Sequence, residues 1–157
     1  MLITNARVVS CGPCGSFHGW IRVLQGKIDQ VGSAGLPELE PGEEIIDVRS
    51  KWVLPGLIDA ATTLGLSSLE SAPDWDADEH TNPVTPKLRA YDTINPLDPG
   101  FDEALSGGVT TVYTGPGDGN VIAGQGAVLK TAGEPFSSRL VSPTHDLKIA
   151  LGGKPKA

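Results

Sequence analysis

Two cysteines separated by two residues, Cys11 and Cys14, are the side chains in this sequence best suited to redox or soft-metal chemistry. A Cys-x-x-Cys spacing lets two thiols form a disulfide or bind one metal ion together. His18 is near enough in sequence to supply a third zinc ligand, but structural zinc requires four, and no fourth is evident. The flanking glycines predict a tight turn between two strands, with reduced thiols. A thiol redox or zinc module at Cys11 and Cys14 stays the alternative.

A group of acidic residues in the middle of the chain precedes the first of two isolated histidines. The acids are Asp74, Asp76, Asp78 and Glu79, and the histidines are His80 and His145. Calcium loops of the EF-hand type need a glycine and a distal glutamate at fixed positions, which this group does not match. The pattern favours a solvated loop, and neither histidine has a visible partner for general base catalysis.

A glycine-rich segment, Gly-Pro-Gly-Asp-Gly at residues 115–119, follows the clearest predicted strand and therefore invites comparison with phosphate-binding loops. Asn120 stands where a dinucleotide-binding loop would need its third glycine, and Pro116 removes one backbone amide donor. A Gly-Lys-Ser/Thr phosphate loop is absent from the sequence as well. The segment is predicted to shape a pocket without holding a nucleotide.

Composition indicates an acidic, glycine-rich chain of one medium domain or two small ones. Its 157 residues carry a formal net charge of −7, with 20 glycines and 13 prolines. The acidic balance argues against a nucleic-acid partner, since phosphate binding needs clustered basic residues. No secretory signal or membrane-spanning run is visible, so the expected location is cytoplasmic. The glycines and prolines indicate many short elements joined by turns.

Apolar and β-branched runs separated by turn residues predict a series of short strands. In the first third of the chain they cover residues 2–9, 20–24, 27–31, 44–48 and 52–54. Further on, they cover residues 56–59, 109–114, 126–130 and 146–151. A short helix is predicted over residues 99–106, with Asp98 as N-cap and two glycines at its end. The stretch 65–99 shows no periodicity and is expected to form a functional loop.

Residues 53–65 (Val-Leu-Pro-Gly-Leu-Ile-Asp-Ala-Ala-Thr-Thr-Leu-Gly) combine an apolar run, a Pro-Gly break and a short strand. This segment resembles the signature of the amidohydrolase superfamily, in which a Pro-Gly-apolar-Ile-Asp run leads into the first strand of a metal-binding barrel. Further segments resemble the imidazolonepropionase-like branch of that superfamily, in the same order along the chain. They are residues 82–86, 92–96, 104–117, 120–125 and 147–152.

The resemblance implies a metal site whose first ligands are replaced here. In the superfamily the aspartate is followed by a His-x-His pair that binds the catalytic metal, and the matching positions hold Ala61 and Thr63. Side chains two residues apart on a strand point the same way, so two histidines there can reach one ion. An alanine methyl offers no donor, and a threonine hydroxyl is a poor ligand.

A carboxylated lysine at a strand end is a further metal ligand that the resemblance implies. Lys148, within an apolar strand-like run, is the better placed candidate, and Lys130 is the second. A buried lysine with a lowered pKa can be carbamylated, which gives an anionic oxygen ligand. The cofactor that the family chemistry implies is a divalent metal, Zn, Fe or Ni.

The implied fold class is α/β with an N-terminal β part. Residues 1–54 are expected to form a small β-sandwich (composite domain). Residues 55–157 are expected to form the first strands and helices of an incomplete TIM-like metal-dependent hydrolase barrel. A complete barrel needs roughly 200 to 250 residues.

Two classes of function follow. The first is an amidohydrolase-like enzyme for carbon–nitrogen bonds in cyclic amide or acyl-amino-acid substrates, expected to be inactive as this chain because the His-x-His ligands and later barrel strands are absent. The second is a non-catalytic degenerate fragment, or an assembly or binding module. A small-molecule substrate is the expected partner if the chain is active, with no nucleic acid and no membrane. An incomplete barrel leaves a strand edge and an apolar face uncovered, which predicts oligomerisation or aggregation.

Overall fold

The computed structural model describes residues 1–66 and 77–156. Two members of the acidic group, Asp74 and Asp76, lie outside the described residues. The chain divides into two compact units, Met1–Pro55 and Gly56–Ala157. Both are built mainly from β-strands, with few helices.

The first unit contains one mixed sheet. Its strands are β1 (Leu2–Val9), β2 (Ser16–Leu24), β3 (Lys27–Gly32), β4 (Ile45–Asp47) and β5 (Trp52–Val53). The order is β3-β2-β1-β4, and β5 also pairs with β1. β1, β2 and β3 run antiparallel to their neighbours, whereas β4 and β5 run parallel to β1. The described strands of this unit form one sheet, and the two-sheet sandwich expected from the sequence stays a prediction.

β1, which pairs with β2, β4 and β5, turns one face toward the core of the first unit. Every second residue of the strand is buried: Leu2, Thr4, Ala6 and Val8. Successive strand side chains point to opposite faces, so this spacing buries one face of β1. Ala6 and Val8 form the core of the unit together with Ile21 of β2.

A nearly buried ion pair ties the connector before β4 to β2. The Arg22 guanidinium donates two hydrogen bonds to the Glu43 carboxylate, of 2.9 and 2.8 Å, and a third to the backbone oxygen of Glu38. The two side chains of the pair are only 9% and 6% exposed. Hydrogen bonding by Arg22 holds the pKa of the Glu43 carboxyl below its ordinary value. Paired, bidentate geometry of this kind satisfies both charges inside the unit.

The second unit contains a four-stranded sheet, a two-stranded ribbon and one described α-helix. Its elements are β6 (Leu57–Thr62), α1 (Gly100–Ser106), β7 (Val109–Thr114), β8 (Ile122–Gln125), β9 (Ala127–Lys130), β10 (Leu140–Ser142) and β11 (Leu147–Ile149). The sheet order is β10-β9-β7-β6, and β8 pairs with β11. β6 runs parallel to β7, as expected for an α/β unit, but the remaining pairs are antiparallel.

The core of the second unit lies between α1 and one face of the sheet. Phe101 of α1, Val112 of β7 and Leu129 of β9 are at most 1% exposed. The ring of Phe136 meets Phe101 edge-on at 6.4 Å and stacks on Tyr91 at 6.3 Å. Aromatic pairs in these two geometries add stabilisation beyond the area that they bury.

The helix begins one residue later than the sequence predicts, at Gly100, but its capping side chain is the predicted one. The residue before the helix, Pro99, already has a helical backbone and forms no capping side-chain hydrogen bond. The buried Asp98 carboxylate accepts hydrogen bonds from the amides of Gly100 and Gly65, at 2.8 and 3.0 Å, as an N-cap side chain does. It satisfies a free amide at the helix start while holding the chain after β6 in place.

The described part of the stretch 65–99 is ordered by side-chain hydrogen bonds that sequence periodicity does not reveal. Asn120, 2% exposed, accepts a hydrogen bond from the amide of Glu79 and donates to the backbone oxygen of Asn82. Isolated bridges then pair Val84 and Arg89 with β8. β8 and β10 were not predicted, because short strands with few apolar residues carry little periodic signal.

None of the helices in the described parts of the chain is long and apolar enough to cross a lipid bilayer.

Leu129→Ala should lower the free energy of unfolding of the second unit by about 2–5 kcal/mol, because the missing atoms leave a cavity in the core. Leu97→Ala makes the same change at a side chain that is 86% exposed. Its effect should stay within about 0.5 kcal/mol. Urea denaturation followed by circular dichroism measures both variants, and equal losses would contradict the core described above.

Candidate functional site

The end of β6 and the residue after it hold Ala61 and Thr63, the positions that the resemblance matches to the superfamily's metal-binding His-x-His pair. Asp59 pairs with Val112 and Thr62 pairs with Thr114, with an irregularity between them. Two residues of β6 therefore oppose one residue of β7, as in a β-bulge. Ala61 lies in this bulge, is exposed, and donates its amide to the Asp59 carboxylate at 3.1 Å.

Hydrogen bonds close the end of β6 onto β7 through backbone and hydroxyl groups. The fully buried Thr114 hydroxyl donates to the backbone oxygen of Leu64 at 2.9 Å. The amide of Gly115 donates to the backbone oxygen of Thr62 at 3.0 Å. The hydroxyl of Thr62 in turn accepts a hydrogen bond from the amide of Leu64 at 3.1 Å. The strand ends are thus held together by the protein's own donors and acceptors.

The donor set at this strand end does not fit a catalytic divalent metal. Ala61 offers no donor, and Thr63 offers a neutral hydroxyl, whereas zinc and related metals take imidazole, thiolate or carboxylate ligands. Across residues 1–66 and 77–156, no three His, Cys, Asp or Glu side chains are grouped so that they could hold a metal ion. Cys11, Cys14 and His18 are among these residues, and the structure does not bring them together as a zinc cluster.

Lys148, the candidate carboxylated lysine, lies on β11 in the two-stranded ribbon, whereas Ala61 lies on β6 in the four-stranded sheet. Its ammonium group forms an ion pair with the Asp118 carboxylate at 2.8 Å, and the two side chains are 33% and 59% exposed. Hydrogen bonding and the positive charge of Lys148 lower the pKa of Asp118. An ammonium group in an ion pair is a cation, not a metal ligand, and the carboxylated form stays a prediction.

The glycine-rich segment 115–119 uses its amides internally. The amide of Gly119 donates to the Asp78 carboxylate at 2.7 Å, and the amide of Gly117 donates to the backbone oxygen of Ala77 at 2.7 Å. A methyl group at either glycine would collide with Asp78. These donors are therefore engaged with the acidic segment and not arranged around a phosphate.

The open face of the four-stranded sheet carries a cluster of polar and titratable side chains. Thr111 and Lys130 are directly paired across β7 and β9, and the lysine ammonium donates to the threonine hydroxyl at 2.9 Å. His145 and Asp146, which precede β11, lie over the same face. The concave surface is lined by Ile58, Ala60, Thr111, Tyr113, Val128, Lys130, Val141, His145 and Asp146. We call this set the polar face.

Tyr113 is the most constrained member of the polar face. A methyl group at Gly115 or Gly126 would overlap its phenol oxygen, so both positions require glycine. The oxygen is buried and has no hydrogen bond of good geometry within the described residues. Burial raises the pKa of the Tyr113 phenol, and the carboxylate of Asp146 raises it further, through a loose hydrogen bond and its negative charge. A proton is therefore held tightly at this oxygen.

The sequence draws attention to two members of the polar face, but not to their proximity. Lys130 is a candidate metal ligand there, and His145 is an isolated histidine without a visible partner. The alternation of Thr111 and Tyr113 in a clear strand was a usable signal, since residues two apart share a face. The approach of Asp146 depends on how the chain after β10 returns to the sheet, and no local pattern encodes that return.

Comparisons with known proteins identify similar amidohydrolases. No family model matches the chain. Amidohydrolase tasK from Hapsidospora irregularis is 32% identical, in a match that covers 88% of this chain and 15% of that protein. A crystal structure of an amidohydrolase from Thermotoga maritima MSB8 is 37% identical, with a TM-score of 0.87, over 99% of this chain and 40% of that chain.

The two similarities together support a relationship of this chain to the amidohydrolase superfamily. The chain spans well under half the length of each protein, 15% of one and 40% of the other. What those longer proteins do as a whole therefore bears on this chain only as a proposal.

Asp146→Asn should lower the pKa of the Tyr113 phenol, because the negative charge that disfavours the phenolate is removed while burial persists. Ultraviolet titration of phenolate absorbance measures the change, and Tyr113→Phe assigns the signal. Since folding raises this pKa, the stability of the second unit should fall as pH rises above the ordinary phenol value of 10.0. Asp118→Asn, a matched change beside Lys148, should leave the Tyr113 titration as it is, and an equal shift there would contradict the assignment.

Proposed function

We propose that these 157 residues form an amidohydrolase-like module that binds a small polar molecule and does not itself catalyse metal-dependent hydrolysis. The observation that carries the proposal is the donor set at the end of β6, where Ala61 and Thr63 stand at the positions that the resemblance matches to the superfamily's His-x-His pair. Hydrolysis by metal-activated water needs a metal held by several ligands beside the substrate. The described residues supply no such set.

The polar face is the surface proposed to bind the ligand. Lys130 and His145 offer nitrogen donors, and Thr111 offers a hydroxyl, on a concave part of the sheet that also has apolar lining. A few polar groups in a largely apolar concavity are typical of small-molecule sites. Ligands related to imidazolonepropionase-type substrates, namely cyclic amides or acyl amino acids, suit this mixture because their amide and carboxylate oxygens accept hydrogen bonds from these donors.

The fold proposed for the whole is a composite β-domain, residues 1–54, followed by the first strands of a TIM-like barrel, residues 55–157. The parallel pair β6 and β7, joined through α1, supports it, because parallel neighbours connected by a helix are the repeating unit of such barrels. The similarity to 40% of a solved amidohydrolase chain supports it as well. The antiparallel strands β9 and β10 are an addition to that plan.

Metal analysis of the purified chain tests the non-catalytic proposal. After incubation with Zn²⁺, Fe²⁺ or Ni²⁺ and desalting, the chain should retain far less than one metal ion and should not hydrolyse a panel of cyclic amides and acyl amino acids. A single ion per chain that is lost in Lys148→Ala, and kept in the control Lys27→Ala, would overturn the proposal in favour of carbon–nitrogen bond hydrolysis. Binding of the same amides to the metal-free chain, lost in Lys130→Ala, would support the module.

Self-association is a second expected property of the module. β6 pairs only with β7 among the described strands, and Leu57 and Ile58 are 52% and 70% exposed. Exposed apolar strand edges pair readily with another chain. Light scattering should give a mass above the 16.3 kDa of one chain. Ile58→Lys should shift the protein toward monomer and Leu97→Lys should not, whereas a monomeric wild-type protein would contradict the expectation.

A further inference from the structure

The pairing of β1 with β2 places both cysteines in the short loop at the tip of a hairpin. Near the tip the paired residues are Val8 with Phe17 and Val9 with Ser16. One step further toward the tip, the amide of Ser10 donates to the backbone oxygen of Gly15 at 3.0 Å, so these two residues close the loop. Cys11 and Cys14 are the first and last residues of this loop, and the hydrogen bond from Gly15 back to Gly12 makes Pro13 and Cys14 the central residues of its turn.

Hydrogen bonds within the tip hold this arrangement. The amide of Gly15 donates to the backbone oxygen of Gly12 at 3.0 Å, and the amide of Gly12 donates to the hydroxyl of Ser10 at 3.1 Å. Cys11 and Gly15 both have left-handed φ angles, of 52° and 61°, and lie on either side of the turn. The loop is therefore held in a folded conformation, with both cysteines in it, while the thiols are free.

Opposed residues of an antiparallel pair have Cα atoms about 4.5 to 5.5 Å apart, so Ser10 and Gly15 hold the two ends of the loop close together. Disulfides span Cα separations of about 4.4 to 6.8 Å, and Cys11 and Cys14 each adjoin one of these two residues, which favours a separation in that range. Both thiols are free and exposed, which leaves them open to attack on a dissolved disulfide. A bridge across so short a loop restricts the unfolded chain little, so its purpose would be redox chemistry more than stability.

We propose that Cys11 and Cys14 form a reversible dithiol–disulfide pair that exchanges with small disulfides of the glutathione type. One cysteine thiolate attacks a sulfur of the oxidant, forming a mixed disulfide and releasing one small thiol. The second cysteine thiolate then attacks the protein sulfur of the mixed disulfide, closing the Cys11–Cys14 bond and releasing the second small thiol. The protein gives up two electrons and two protons, and the oxidant is reduced to two thiols.

The pair is independent of the function proposed above, because all of its residues belong to the first unit. Its oxidation involves the tip of the hairpin, outside the paired residues of β1 and β2. The sheet should therefore remain folded in both redox states, and the circular dichroism spectrum should not change. The activity or inactivity of the second unit has no bearing on the outcome.

Equilibration of the whole chain in glutathione redox buffers tests the proposal. Trapping with a thiol-alkylating reagent and intact mass measurement should show a monomeric species that lacks two hydrogens and reacts with no reagent. Cys11→Ser and Cys14→Ser should each lose that species and stop at the glutathione adduct. The matched control combines Cys14→Ser with Ser16→Cys, which keeps two thiols near the tip but moves one out of the loop to the first residue of β2, opposite Val9.

The control variant should close its bridge only at a higher ratio of oxidised to reduced glutathione than the wild-type chain. Three outcomes would overturn the proposal. They are a wild-type chain that stops at the glutathione adduct, a bridge found only between two chains, and a control variant that oxidises as readily as the wild type. Retention of a metal ion that Cys11→Ser abolishes would likewise overturn it and assign the thiols to a metal site.

Discussion

Parallel pairing of β6 with β7 is the constraint on which the second unit depends. Two parallel neighbours cannot be joined by a tight turn, so the chain between them must cross back over the sheet. Here that crossing ends in α1, which places Phe101 against Val112 on one face. The opposite face is consequently left without a covering layer of this unit's own helix, and Thr111, Tyr113 and Lys130 lie there.

Side-chain hydrogen bonds hold the described part of the crossing segment in place, and they use polar groups that could otherwise bind a ligand. The Asp98 carboxylate accepts hydrogen bonds from the amides of Gly65 and Gly100. The Asn120 side chain forms hydrogen bonds with the backbone of residues 79 and 82. Asp78 takes the amide of Gly119, a donor that a phosphate loop would have kept for its ligand. The polar groups of these loops are engaged in building the fold. Amides of the glycine-rich segment 115–119 are thus bonded to Asp78 and Ala77 within the protein.

The same distinction applies to the end of β6. The Pro-Gly entry, the strand and its closing hydrogen bonds form a framework that the similarity to amidohydrolases supports. Metal chemistry, however, depends on donor atoms and not on the backbone that carries them. Ala61 and Thr63 offer no imidazole at the end of this strand. Among the described residues, the side chains on which the proposals rest lie at the polar face and at the hairpin tip of the first unit.

Local sequence was sufficient wherever a single pattern decided the structure. The strand Leu2–Val9, the helix end at Gly107 and the strand Val109–Thr114 were all predicted and are confirmed. Strand and turn preferences act over a few residues, and these segments contain their own signals. The absence of an imidazole at Ala61 and Thr63 is likewise read from the sequence alone.

Tertiary structure decided what depends on residues far apart in the chain. The antiparallel addition of β9 and β10 follows from how the chain turns back after β7, and the short β8 and β10 carried no periodic signal. Lys148 forms an ion pair with Asp118, and Asp146 lies beside Tyr113. The sequence gives the chemical type of each side chain, but long-range packing determines which side chains lie next to one another. That is the physical reason why the residues of the polar face could be listed beforehand and their assembly could not.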